Sequence, residues 1–271
     1  MLESVRKLFE CEKIEYFAAA DYSFLEEINP KLITRSGFEP KSVIVFLLPY
    51  YTGETVNISR YSASLDYHII IKEITDKLIR VLRENYPEYN FAGFGDHSPI
   101  DERRAALSSG LGILGDNGLI INEKYGSYVF IGEVVTDLPP DVLGAEEPQS
   151  LLRCEGCGAC KKTCPTGCLN DYEKECLSAI TQKKGELSEA QIALIRKHGT
   201  VWGCDACQSV CPHNKNPELT PIDFFYRERI DELTSDILNA MSDEEFKRRA
   251  FAWRGRKTVE RNLDYFVSED N

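Results

Sequence analysis

The chain has 271 residues, with 42% hydrophobic and 28% charged side chains, the ordinary makeup of a packed globular protein large enough for one big domain or two modest ones. Its formal net charge of −12 speaks against nucleic-acid binding by the surface as a whole, because affinity for a polyanion comes from cations that displace counterions. No run approaches the roughly 18 uncharged apolar residues that span a bilayer, and Met1-Leu-Glu-Ser-Val-Arg-Lys-Leu-Phe-Glu10 lacks the apolar region of a secretion signal, so a soluble cytoplasmic protein with no membrane partner is expected.

Ile14 to Ala20 and Val43 to Leu48 read as buried strands, the second closed by Pro49. Ile70, Ile74, Leu78 and Val81 (or Leu82) recur at three- and four-residue steps and predict a helix over Leu65 to Arg83. Tyr89 to Phe94 reads as a strand that runs into Gly95 and Asp96. Ser98-Pro99-Ile100-Asp101 predicts a helix start, with Ser98 as the cap, and that helix should end near Gly110. Leu119 to Asn122 and Ser127 to Val135 predict a hairpin around Glu123-Lys124-Tyr125-Gly126. The expected architecture is α+β (α/β-like), with a mixed sheet in a first domain of residues 1–150. Pro139 to Pro148 is the predicted linker, a cysteine-rich module fills 151–218, and a helical segment fills 219–271. Within that last segment Phe246 to Arg261 carries Lys247, Arg248, Arg249, Arg254, Arg256, Lys257 and Arg261 against only Glu260.

The cysteines carry the strongest chemical signal. Cys154-Glu-Gly-Cys157-Gly-Ala-Cys160-Lys-Lys-Thr-Cys164-Pro165 has the spacing of a bacterial ferredoxin, in which three thiolates hold corners of one cubane and the fourth serves a second cluster. One such run is an incomplete site. Cys204-Asp-Ala-Cys207-Gln-Ser-Val-Cys211-Pro212 supplies the end of a second run, with Val201 where its first cysteine belongs. Seven ligands are then in hand, and the eighth comes from Cys176, Cys168 or Cys11. Cys176 is chosen because it lies between the runs on a segment free to fold over the second cluster. The expected sets are Cys154, Cys157, Cys160 and Cys211 for one 4Fe-4S cluster and Cys164, Cys176, Cys204 and Cys207 for the other, leaving Cys168 and Cys11 spare. Structural zinc on Cys-x-x-Cys pairs is the competing reading, disfavoured by the triple run and the two Cys-Pro endings. Two clusters this close form a short electron wire, and its fusion to a domain of 150 residues suggests that the electrons are delivered to something held there.

Further stretches resemble the epoxyqueuosine reductases: Arg60-Tyr61-Ser-Ala-Ser-Leu-Asp66-Tyr67-His68, Gly110-Leu-Gly112, Tyr125-Gly126-Ser127-Tyr128-Val-Phe-Ile-Gly132-Glu133 and Thr136-Asp137-Leu138-Pro139. So do Cys176-Leu-Ser178-Ala-Ile-Thr181-Gln182-Lys-Lys184-Gly185, Trp202-Gly-Cys204-Asp-Ala-Cys207-Gln208 and Trp253-Arg-Gly-Arg with Arg261-Asn262. The resemblance spans roughly residues 40 to 263. It implies a cobalamin-dependent enzyme, related in architecture to reductive dehalogenases, that removes the epoxide oxygen of epoxyqueuosine in tRNA with electrons from an external low-potential donor. It also implies that Asp96, in Phe94-Gly95-Asp96-His97-Ser98, is the proton donor, and that Arg60, Tyr61, Ser178, Thr181 and Lys184 contact the corrin. An acid of this kind must hold its proton at neutral pH, which burial can arrange. The structural alternative for Asp96 is to cap the helix that follows. His68 invites reading as a cobalt ligand but lacks the glycine of the usual cobalamin-binding histidine motif, and a histidine on a helix face is the simpler reading.

Three departures from the family pattern stand out. Ile113 and Asp116 replace an aromatic and a cation after Gly110-Leu-Gly112, Ser64-Leu65 replaces a glycine-arginine pair, and the chain stops at Asn271 where longer members continue into helical repeats associated with tRNA binding. They motivate two alternatives: a reductase of the same build with a different, non-tRNA substrate, and a noncatalytic two-cluster electron carrier. The basic stretch Lys247 to Arg261 is the candidate tRNA contact, against a reading as a solvated face or a latch.

Overall fold

The structure, a computed structural model, describes residues 2–267. The chain divides into two compact units, Met1–Pro49 with His68–Gly156, and Tyr50–Tyr67 with Cys157–Asn271. The linear reading puts residues 50–67 in the first block and sets 219–271 apart; in the structure both belong with the cysteine-bearing unit.

The first unit is built on four strands, β1 (Phe17–Asp21), β2 (Ser42–Pro49), β3 (Phe91–Phe94) and β6 (Val129–Thr136), in the order β1-β2-β6-β3. Every pairing is antiparallel, which corrects the expected mixed sheet. All of β2 is buried because helices cover both of its faces. Phe46 meets Phe9 of α1 (Glu3–Cys11), ring centroids 5.4 Å apart. On the opposite face Val43, Val45 and Leu47 pack with Ala105, Ala106 and Leu107 of α4 (Glu102–Ser108). The period-two alternation of β6 puts Ile131, Glu133 and Val135 on that same α4 side. Against β3, the helix Tyr67–Asn85 packs so closely that a Cβ at Gly93 would lie 2.6 Å from Thr75 and one at Gly95 2.7 Å from Ile71.

Three local expectations change. The predicted hairpin does not form a ladder: β5 (Ile120–Ile121) pairs instead with β4 (Ile113–Leu114), while β6 pairs with β2 and β3. Only Asn122 and Gly126 bridge the turn, because the long apolar β6 gains more burial at the centre of the large sheet than beside a two-residue strand. The helix after β3 starts late. Its cap is Asp101, whose carboxylate accepts from the amides of Arg103 and Arg104 at 3.1 and 3.3 Å, and Ser98 is drawn away to Glu133. Finally, the expected linker contains a short helix, Pro140–Leu143, that buries Leu143 and ends on Gly144 at φ 77°.

The second unit is held by Trp202 and Phe251, both fully buried with ring centroids 6.4 Å apart, together with Leu233, Leu238, Phe246 and Val259. Its returning segment is stitched in by backbone hydrogen bonds, Ser59 N to Trp202 O at 2.7 Å and Val201 N to Asn57 O at 2.6 Å. No helix among the described residues is long and apolar enough to cross a membrane.

Candidate functional site

In the second unit the first cysteine run, from Cys157 on, meets the second. The short helix Ala159–Thr163, which carries Cys160, packs on the helix Ala206–Ser209, which carries Cys207. Every described cysteine is a free thiol. Cys164 Sγ lies 3.5 Å from Cys168 Sγ, and the charges of Cys176 and Cys164 both act on Cys204. Burial pushes the Cys204 thiol up to about 11, with those neighbouring thiols adding to it. Burial also raises Cys168, to about 11, while the Leu169 amide and Cys168 outweigh burial at Cys164 and draw it down to about 7. Thiols crowded together without disulfides, two of them penalised as isolated ions, are what a cluster needs, since its irons supply the missing positive charge. The residues therefore fit a cubane here, and Cys168, left spare by spacing, lies among these thiols beside Cys164.

Cys154 belongs to the first unit. Its amide donates to Leu114 O at 3.0 Å, and its Sγ accepts from the Asp116 amide at 3.3 Å. That N–H···S bond comes from the backbone, so the family departure at Asp116 leaves it in place. Such bonds stabilise thiolate charge and raise a cluster's potential.

The residues expected at the corrin do different things. Arg60 is an ion-pair centre: its guanidinium is bound to Glu54, to Asp205 at 3.0 Å and to Ser209 Oγ at 3.0 Å. The Tyr61 hydroxyl accepts from Trp202 Nε1 at 2.9 Å. Thr181, wholly buried, donates to Ser178 O at 2.8 Å and accepts from the Gly203 amide at 3.0 Å. Ser178 Oγ accepts from Gln182 Nε2 at 3.0 Å and retains its own proton to donate, while Lys184 is exposed. Of the five, Ser178 and Lys184 keep donors that a ligand amide could take, whereas Thr181, Tyr61 and Arg60 are engaged within their own unit.

Asp96 closes β3 in the first unit with φ 61°, a left-handed conformation that aspartate tolerates better than most residues. Gly95 before it makes the turn possible, since it has no room for a side chain against Ile71. Asp96 does not cap the helix. Its amide donates to Glu102 Oε2 at 3.0 Å, and its carboxylate lies 3.7 Å from His68 Nε2, both side chains half-exposed or more. The expectation that burial protects its proton shifts to its neighbours. Burial and the Asp96 charge push Glu102 up to about 7, and burial pushes Glu133 up to about 8 against a hydrogen bond from Ser98. Sequence reading missed both glutamates. The available signal was Glu133, a lone charge inside the apolar run Val129 to Val135.

The basic stretch is largely spent inside its own unit. Arg249 is buried and donates to Glu228 O, Arg256 donates to Leu238 O and Met241 O, and Arg261 donates to Lys183 O and Gly185 O. Arg254 stacks over the exposed Trp253 ring at 3.6 Å, and Lys247 and Lys257 are exposed.

Comparison with known proteins agrees with this geometry. Residues 153–214 match the family described as a 4Fe-4S double cluster binding domain, which makes the chain an iron–sulfur protein. Residues 33–96 match the family described as Epoxyqueuosine reductase QueG, DUF1730. The epoxyqueuosine reductase of Listeria monocytogenes is 32% identical over 280 residues, covering 94% of this chain and 71% of that protein. That of Bacillus cereus is 30% identical over 287 residues, covering 96% and 72%. A crystal structure of epoxyqueuosine reductase with an epoxyqueuosine-modified tRNA stem loop superposes with a TM-score of 0.77 at 26% identity, covering 97% of this chain and 80% of that one. The Bacillus subtilis enzyme, with its catalytic loop swung out of the active site, superposes with a TM-score of 0.76 at 25% identity over the same shares. This chain is an oxidoreductase that carries 4Fe-4S clusters, and it belongs to the epoxyqueuosine reductase family.

Proposed function

We propose that the chain reduces the epoxide of epoxyqueuosine in tRNA, with Asp96 as the acid that protonates the departing oxygen. The observation that carries this is the Asp96 turn: a carboxyl held in a left-handed bend, presented to solvent beside His68, at the end of the segment that matches the epoxyqueuosine reductase family. Removing the oxygen as water takes two electrons and two protons.

The electrons come from an external low-potential donor. Cys154, Cys157, Cys160 and Cys211 would hold one cluster and Cys164, Cys176, Cys204 and Cys207 the other, which gives the electrons a path through one module. Cobalamin, when bound, supplies the strongly reducing centre this chemistry needs. Ser178 and Lys184 would hold its amides, and Thr181 keeps their segment fixed to Gly203. On the RNA side, Trp253 with its stacked Arg254 offers a platform for an unpaired base, and Lys247 and Lys257 offer charge for phosphate.

The test is conversion of epoxyqueuosine-containing tRNA by the anaerobically reconstituted protein, followed by mass spectrometry of the released nucleosides. Queuosine should accumulate. Binding of cobalamin without any loss of the epoxide oxygen would move the chain to another substrate, and no cobalamin binding at all would leave an electron carrier.

A further inference from the structure

The reaction consumes two protons, and Asp96 carries one. Asp96 is also more exposed than an acid with a guarded proton should be, with 62% of its side chain open to solvent. The groups behind it differ. Glu102 is half-buried at the start of α4, and its Oε2 accepts the Asp96 amide at 3.0 Å. On the sheet face that α4 covers, Glu133 is completely buried; one carboxyl oxygen accepts from Ser98 Oγ, and the other has no hydrogen-bond partner.

The charges around this pair are mostly negative. Asp96 and Asp101 oppose ionisation of Glu102, Glu102 and Asp101 oppose ionisation of Glu133, and the Tyr22 hydroxyl lies within reach of the Glu133 charge. Arg103 favours ionised Glu102, yet its guanidinium is engaged by Asp101 and by Gly118 O, and Arg104 is turned to Glu26. His68 faces Asp96 from the neighbouring helix. No cation pairs directly with Glu102 or Glu133 among the described residues. Both carboxyls in such a place ionise less readily than a solvated one, so the side chain that accepts the Asp96 amide can also hold a proton.

We propose that Glu102 is a positioning residue for Asp96 that also holds the second proton of the reaction. Through the Asp96 amide it fixes the left-handed turn, and after each delivery it returns a proton to the Asp96 carboxylate. This rests on the reading of Asp96 as the acid. In the first transfer the Asp96 O–H bond breaks as an O–H bond forms on the epoxide oxygen. The Glu102 O–H bond then breaks as the Asp96 O–H bond is restored, and a second transfer from Asp96 releases the oxygen as water. Two electrons from the low-potential donor complete the balance, and two solvent protons restore Glu102 and, through it, Asp96.

The deciding variant is Glu102→Gln in the holoenzyme. The amide oxygen still accepts the Asp96 N–H, so a purely structural brace would be preserved, but the side chain can no longer release a proton. With epoxyqueuosine-containing tRNA, kcat should fall by about 10²-fold with KM little changed, in line with the usual worth of a positioned proton donor. The decline of wild-type kcat as pH rises through about 7 should disappear in the variant. A variant with the wild-type rate and pH profile would overturn the proposal. A second arm needs no turnover: carbon-13 NMR of protein labelled at glutamate carboxyls, with the Glu102 signal identified by its loss in Glu102→Gln. Its midpoint should lie near 7 and drop in Asp96→Asn, where the opposing charge is gone. A Glu102 signal titrating in the ordinary carboxylate range, or one indifferent to Asp96→Asn, would overturn the proton-sharing even if the chain acts on some other epoxide.

Discussion

Asp205 stands between Cys204 and Cys207, two of the proposed cluster ligands, and replacing it with alanine should uncouple the loop that carries them. Its carboxylate accepts from Ser59 Oγ, from the Arg60 amide at 2.7 Å and from Arg60 Nη1 at 3.0 Å. The pair is well buried, with 9% of the Arg60 side chain and 10% of the Asp205 side chain exposed. Removing one partner of a buried ion pair costs about 3–5 kcal/mol, chiefly because the other charge is stranded. Arg60 keeps Glu54 and Ser209 as partners, so the expected loss lies at the lower end, about 3 kcal/mol. That corresponds to roughly two powers of ten in the unfolding equilibrium. Anaerobic urea unfolding followed by circular dichroism would measure it, alongside iron per chain after identical reconstitution. Asp205→Asn, which keeps one acceptor oxygen for the Arg60 amide and an NH2 that can donate to Ser59 Oγ, should lose less. A loss below about 1 kcal/mol with full iron content would mean that the pair is worth no more than a surface one and that the loop is held by other contacts.

Cys176→Ser should remove about half of the roughly eight irons of two cubanes, read by iron assay and by the spectrum of the reduced protein; unchanged iron would pass the ligand role to Cys168, which already lies 3.5 Å from Cys164. Gly132→Ala would drive a Cβ to within 2.3 Å of the Phe46 ring and should cost about 1–3 kcal/mol of stability, with Phe46→Leu in the same chain recovering part of it. No recovery would place the strain elsewhere. Glu133 has a folded-state pKa raised to about 8 from an unfolded value near 4.5, so the folded protein holds the proton more tightly and stability falls as pH rises between those values. Glu133→Gln should flatten that fall, which in wild type amounts to at most about 1.4 kcal/mol per pH unit from this group; equal slopes in the two proteins would show that Glu133 ionises freely.

The cysteine module was legible because its information is local: ligand spacing along the chain dictates which thiolates can share a cubane, and the structure packs the two runs together through their short helices. The buried strand β2 and the helix Tyr67–Asn85 were legible for a similar reason, since continuous or periodic apolar residues report burial directly. What depended on distant partners was not. The predicted hairpin lost β6 to the large sheet, and Ser98 lost its capping role because a buried glutamate 35 residues away takes its hydroxyl. The basic stretch looked like a surface for phosphate, but whether an arginine faces solvent or a carbonyl of its own chain depends on where Leu238, Lys183 and Glu228 fold to, which no local pattern encodes. The proposed acid site followed the same division. Asp96 could be named from its motif, whereas its contact with Glu102 exists only because the turn at Gly95 brings the Asp96 amide back over the first residue of α4.

The account depends most on Asp96 as the acid of a reductive epoxide opening, and a single-turnover measurement with Asp96→Asn addresses it directly. The variant should load with iron, sulfide and cobalamin and accept electrons as the wild type does, yet leave the epoxide oxygen on the nucleoside. Formation of queuosine by that variant at the wild-type rate would contradict it.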